Sequence, residues 1–286
     1  MVTTTLVGLV LLQTAAAAPT VPGAQMNVVY QTIESPSGGA KRDLALDFYP
    51  AQGVTGPAPL VLVFHGGAWI QGRRQEVAQM CEILSRNGFA SATVSYRLAP
   101  RDKWPAQIND AREALRFFRR DPARFNVKTD RVAVMGFSAG AHLALLLGAQ
   151  DAPSPGQPSA QAQVVLNVFG PTDMSRDFNP NVAQLVSQQV LGKPYDPQSE
   201  ELKSFSPFFL INSKSAPTFT IHGDVDEVVP VPQARHLDEA MKKAGVPHEL
   251  RIIPGMGHAI PNPPDPFMKA LDEGIGFVRK HLSAKG

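Results

Sequence analysis

Cysteine is almost missing from this chain: Cys81 is the single one among 286 residues. One thiol closes no internal disulfide and supplies no thiolate cluster, so a disulfide scaffold and a cysteine-based metal site are both excluded by count. A charge bias is missing as well. The 27 Lys and Arg nearly balance the 25 Asp and Glu, leaving a net charge of +2 without a long run of one sign. Such a balance offers no electrostatic footprint for nucleic acid or an anionic membrane surface. Arg116, Arg119, Arg120 and Arg124 do gather beside Asp121, and they are expected to form the solvated face of a helix. The apolar run at residues 6–12 is too short to span a bilayer, and no internal repeat is present.

What the chain has is apolar substance: 43% of its residues, enough for one sizeable core and for a single domain with an insertion rather than two domains. The first residues differ in character. After the run at 6–12, residues 14–18 are small and Ala-rich, and Pro19 and Pro22 follow. This pattern predicts an export leader over residues 1–24 with an Ala-x-Ala-type cleavage region, although its start carries no Lys or Arg. The expected location is therefore secreted or periplasmic, with residues 25–286 forming the folded domain.

Within that domain, residues 27–33 and 44–49 alternate as half-buried strands do, around a turn signal at 35–40. Residues 59–64 (PLVLVF) form a continuous apolar run, the mark of a strand covered on both faces. A helix is expected over 76–87, stopped by Gly88, then a strand over 89–96 and a helix over 105–120. Residues 164–169 read as a further buried strand. From about 171 to 216 the alternation breaks: prolines recur and Phe205, Phe208, Phe209 and Leu210 cluster. That stretch is expected to be a cap-like insertion over the site. Strand 218–222, helix 233–243, strand 249–253 and helix 267–281 then resume the order. Strands and helices in alternation imply an α/β fold, a mostly parallel central sheet with helices on both faces. In such sheets reactive groups collect at the carboxyl ends of the strands.

Residues 131–148, RVAVMGFSAGAHLALLLG, organise the rest. A buried-type strand runs into Gly136-Phe137-Ser138-Ala139-Gly140 and directly into an apolar helix, which is the strand–turn–helix context of a nucleophile elbow. A serine on so sharp a turn takes a strained backbone, and only small residues two positions on either side let strand and helix pass. A serine hydroxyl needs a base, and the base needs an orienting group. Of the seven histidines, His258 lies on a Gly-rich loop directly after the last strand, at the catalytic edge. His142, one turn after Ser138, is expected to pack locally. His236, His248 and His281 are expected at the surface, and His65 and His222 sit where backbone turns belong. The acid should leave the preceding strand, where Asp224 and Asp226 are not separable by spacing. Asp173 is a weaker third choice, and Asp110, in a helix, is expected to be structural. Charge developing on a carbonyl oxygen needs preorganised N–H donors. One is expected from Ala139, the other from the loop His65-Gly66-Gly67-Ala68-Trp69.

These residues resemble the α/β-hydrolase superfamily, and more narrowly the hormone-sensitive-lipase-like esterases and the bacterial feruloyl/acetyl esterase group. The resemblance runs from about residue 44 to the C-terminus. It rests on His65-Gly66-Gly67-Ala68-Trp69, Ser95-Tyr96-Arg97-Leu98-Ala99-Pro100, residues 105–111, the Gly136-to-Gly140 pentapeptide, residues 222–230 and Gly257-His258. It implies an α/β-hydrolase fold and a Ser138–His258–Asp226 triad, with Asp226 as the acid of His-Gly-x-x-Asp. It further implies an oxyanion hole from Gly67, Ala68 and Ala139, structural roles for Arg97 and Asp110, and no metal or cofactor. Position 68 departs from the lipase-like pattern, which often has glycine there. The implied activity is that of a serine carboxylesterase on small-molecule or carbohydrate/polymer esters with short to medium acyl chains. Arylformamidases of the same superfamily share His-Gly-Gly-x-Trp, so an amide hydrolase is the alternative, and a non-catalytic ligand-binding homologue a remoter one. Trp69, Phe137, Phe205 and Phe208 are expected to line the substrate pocket; for the insertion's phenylalanines, Phe205 and Phe208, the alternative is packing the insertion onto the body. Oligomeric state is not legible.

Overall fold

The computed structural model describes residues 21–34, 40–260 and 262–283. The expected leader lies outside these up to residue 20, as do residues 35–39 of the expected turn. Its last residues do not: Val21 is buried and packs in the core with Tyr49 and Val61, so the folded body already includes it.

Strands β1 (Gln25–Ile33), β2 (Arg42–Tyr49), β3 (Ala58–Phe64), β4 (Ala90–Val94), β5 (Val127–Phe137), β6 (Val164–Val168), β7 (Thr218–Gly223) and β8 (His248–Ile253) form one sheet in the order β1-β2-β4-β3-β5-β6-β7-β8. The β1–β2 and β2–β4 pairs are antiparallel, and every pair from β4 through β8 is parallel. The helices are α1 (Ala78–Arg86), α2 (Ala106–Arg120), α3 (Pro122–Phe125), α4 (Ala139–Ala149), α5 (Pro180–Val186), α6 (Glu200–Phe205), α7 (Pro232–Lys243) and α8 (Asp265–Ser283).

Because side chains alternate across a strand, β3 and β5 feed two separate cores. Leu60, Leu62, Phe64, Val132 and Val134 meet Leu115 and Phe118 of α2, Leu143 and Leu146 of α4 and Leu237 of α7. Val61, Val63, Met135 and Phe137 meet Met80 and Leu84 of α1 and Phe267, Leu271 and Val278 of α8. The central helix α4 is buried along its whole length, which is why its sequence is apolar on every side.

Boundaries shift modestly from the expected ones. The helix expected over 76–87 begins as a 3-10 turn, Arg74–Val77, before α1, and the strand over 89–96 shortens to β4. The arginines are the larger correction. Arg116 donates to the carbonyls of Ala152 and Pro158, and Arg119 to those of Thr129, Ser159 and Gln161. They therefore fasten the α4–β6 connection instead of facing only water. Between β6 and β7, residues 171–216 carry α5, a π-helical turn (Ser187–Leu191), α6 and a 3-10 turn (Pro207–Leu210). Val186, Val190, Leu202 and Phe205 of this segment join the core on the α4 side.

Two glycines give opposite expectations. A Cβ on Gly140 would overlap the backbone carbonyls of Phe64 and His65, whereas one on Gly276, an exposed site inside α8, meets nothing within 4 Å. Gly140→Ala is expected to lower the urea midpoint by at least about 2 kcal/mol equivalent, through backbone overlap in a packed core. Gly276→Ala is expected to raise it by about 0.5–1 kcal/mol.

Candidate active site

The turn between β5 and α4 holds Ser138 at φ 52° and ψ −119°, a left-handed conformation that a non-glycine residue adopts only when its surroundings impose it. The imposing contacts are close ones. Any side chain on Gly136 would overlap the Gly140 backbone, and any on Gly140 the end of β3. Ser138 is further tied by its N–H to the Val168 carbonyl, 3.0 Å away on the neighbouring strand.

His258 follows β8 on the loop through Gly255, whose φ is +70°. Its Nε2 lies 2.8 Å from Ser138 Oγ and its Nδ1 2.7 Å from Asp226 Oδ2. A carboxylate accepts, so Nδ1 carries the hydrogen and the bare Nε2 faces the serine hydroxyl. Asp226 Oδ1 accepts from the N–H groups of Val228 and Val229 at 2.9 and 2.8 Å. Ser138, Asp226 and His258 are each less than a tenth exposed. Asp224, inseparable by spacing, is turned away and accepts from Gly255 N–H at 2.6 Å. Asp173 is occupied by Arg176 Nε at 2.7 Å. Asp110 accepts from the Arg97 backbone and guanidinium at 2.6–3.0 Å.

A second imidazole stands beside Asp226. His222 donates from Nε2 to the Val229 carbonyl at 2.8 Å and lies 3.6 Å from Asp226 Oδ2, while its Nδ1 has no partner among the described residues. Burial holds its pKa below the ordinary value, so the ring is neutral and leaves the Asp226 charge to His258. Gly223 beside it admits no Cβ, because the Met256 carbonyl of the His258 loop presses against it. The chain ends carrying Asp226 and His258 are thus in close contact.

After β3, Gly67, Ala68 and Trp69 take φ values of +112°, 52° and 62° in succession. Three positive φ values in succession turn the backbone sharply at the end of β3. A Cβ on Gly67 would overlap the Gln71 carbonyl. Below the loop, Tyr96 stacks on His65 with ring centroids 4.3 Å apart and donates its hydroxyl to the His65 carbonyl at 2.9 Å. Ala139 opens α4, where the first N–H groups have no partner within the helix.

The expected pocket residues are dispersed. Trp69 and Phe205 are buried in a cluster with Trp104 and His142. Phe208 is half-buried with the Arg176 guanidinium 4.8 Å over its ring. Phe137 lines an apolar groove of about 110 Å³ between α1 and α8, with Met80, Ile83, Ile260 and Leu271. His248 is a correction: its side chain is fully buried between Asp238 and Thr220, not at the surface.

A family model described as BD-FAE matches residues 46–241. The chain belongs to the BD-FAE family. It is similar to the esterase LipQ of Mycobacterium tuberculosis, 30% identical over 79% of this chain and 56% of that protein. The esterase LipC of the same organism is 31% identical over 71% of this chain and 53% of its own. The chain thus spans about half the length of these curated relatives. Among solved structures, the esterase Est2 of Thermogutta terrifontis with propionate bound is 25% identical, with a TM-score of 0.75 over 94% of this chain and 98% of that one. A truncated carbohydrate esterase from gut microbiota shares the fold at a TM-score of 0.80 and 22% identity, over 94% of this chain and 99% of that one.

Burial around the family member's site predicts its acid response. Desolvation lowers His65 to about 4 and His142 to about 3, against about 6.5 in an unfolded chain. Below 6.5 the unfolded chain takes up protons that the folded one refuses, so stability is full above that pH and is lost as pH falls toward 4. Unfolding free energies from urea titrations are expected to be level from pH 8 to 7 and to fall steadily from 6.5 to 5, by about 2 kcal/mol for each of these two buried rings. A midpoint that rose on acidification over that range would contradict the neutral assignment.

Proposed function

We propose that the protein is a serine carboxylesterase working through Ser138, His258 and Asp226. The observation that carries this reading is the unbroken hydrogen-bond run from Ser138 Oγ through His258 to Asp226, at 2.8 and 2.7 Å. In this reading His258 Nε2 takes the serine proton as Oγ attacks the ester carbonyl, and Asp226 steadies the imidazolium that results. The N–H groups of Ala139, Gly67 and Ala68 receive the oxyanion, each donor contributing about 3 kcal/mol to the transition state. His258 then protonates the departing alcohol and activates water against the acyl-enzyme.

Esters with short acyl chains are the proposed substrates, free or carried on a carbohydrate or polymer. The propionate held by the Est2 relative supports a short acyl group. Export of the protein, read from the leader-like pattern that precedes Val21, would suit an extracellular ester. No helix among the described residues is long and apolar enough to cross a membrane.

The test is steady-state hydrolysis of p-nitrophenyl esters from acetyl to dodecanoyl, with N-formylkynurenine in parallel. Activity is expected to peak at short chains. Ser138→Ala should lose on the order of 10⁶ in kcat and Asp226→Asn about 10⁴, as in other triads. Preference for the formamide would replace the esterase reading by an amide-hydrolase one, and turnover independent of Ser138 would end both.

A further inference from the structure

A second histidine with a fully determined tautomer lies outside the triad. His142 is on α4, one turn beyond Ser138, and has no solvent exposure. Its Nε2 is 2.6 Å from the Phe205 carbonyl, and its Nδ1 is 3.3 Å from Trp69 Nε1. A carbonyl only accepts, so Nε2 carries the hydrogen. An indole N–H only donates, so Nδ1 is bare. The two partners demand opposite roles of one ring, and neutral imidazole alone among the side chains of this shape supplies both. Burial, which lowers its pKa to about 3, keeps it in that state.

The partners belong to different parts of the molecule. Trp69 is the third of the positive-φ residues in the loop after β3, and Phe205 ends α6 in the 171–216 segment. Trp104, just before α2, closes the cluster with its ring 4.8 Å from Phe205 and 6.0 Å from His142. The backbone of the loop is held at the same point, because Ala99 N–H donates to the Trp69 carbonyl at 2.9 Å. Where the Trp69 side chain is pinned therefore limits where the preceding peptide groups can aim.

We propose that His142 is a positioning residue: by accepting from Trp69 it sets the Gly67 and Ala68 N–H groups in register with Ser138, and by donating to Phe205 it couples that register to the 171–216 segment. The proposal rests on the acyl-transfer reading above. Oxyanion donors act in the transition state, and a displacement of about 1 Å at a reacting centre can cost about 10²-fold. The expected loss is therefore in kcat and not in substrate binding.

Three variants separate this role from packing. Trp69→Phe keeps a ring and deletes the indole N–H. His142→Leu deletes both hydrogen bonds, and His142→Asn keeps an acceptor near the Nδ1 position while losing the bond to Phe205. With folding checked by circular dichroism, Trp69→Phe and His142→Leu are expected to lose about 10- to 100-fold in kcat with little change in KM. The Ki of an alkyl trifluoromethyl ketone, which forms an oxyanion on the serine, should weaken in proportion. His142→Asn should recover most of the loss. Trp69→Phe folds independently of any failure of His142→Leu, since it replaces one aromatic ring by a smaller one. A folded Trp69→Phe with kcat and ketone Ki within twofold of the parent, or with a raised KM alone, overturns the proposal. Wild-type activity that survives Ser138→Ala overturns the acyl-transfer reading instead, and the proposal with it.

Discussion

The contact on which the rest depends is the crossing of β5 and α4 at two glycines. Gly136 and Gly140 touch backbone to backbone, and Gly140 also rests on the carbonyls of Phe64 and His65. One close approach therefore does two things. It forces Ser138 into its left-handed turn, and it sets α4 directly on the end of β3, where the loop with Gly67 begins. A side chain at either glycine would separate strand from helix and shift the serine away from that loop at the same time. The strained residue persists because the buried helix behind it, apolar on all sides, has nowhere else to go.

Around that crossing, parallel strands bring their carboxyl ends to one edge, so groups distant in sequence become neighbours. Ser138 follows β5, Asp226 follows β7 and His258 follows β8. The two last loops are locked by the Gly223–Met256 contact and by the bond from Gly255 N–H to Asp224. Charge is arranged with similar economy. Asp226 is met by two backbone donors on one oxygen and the His258 ring on the other, while the nearby His222 stays neutral because burial disfavours its cation.

Much of this was legible from residue order, and the limits have physical causes. Strands covered on both faces announce themselves as apolar runs, and a serine flanked by glycines between strand and helix has few other uses. Spacing could not separate Asp224 from Asp226, because both leave the same strand end within two residues; the distinction depends on which carboxylate the Gly255 N–H captures. Arg116 and Arg119 read as a polar helix face because nothing local reveals that the loop carrying Ala152 and Ser159 returns across them. Aromatic residues were the least legible. Trp69 and Phe205 have the composition of pocket walls, yet their partners, Trp104 and His142, come from two other segments that only the folded chain brings together. The signal available for His142 was its position, one turn past Ser138 on a helix otherwise without polar side chains.

The chain holds two tryptophans, and both lie in that one cluster. Its tryptophan fluorescence, excited where tyrosine does not absorb, is thus a local signal and not an average over the fold. Emission would follow the packing of rings between the loop after β3 and the 171–216 segment, with no label introduced. A loosened loop or the onset of unfolding at this junction would each change that emission.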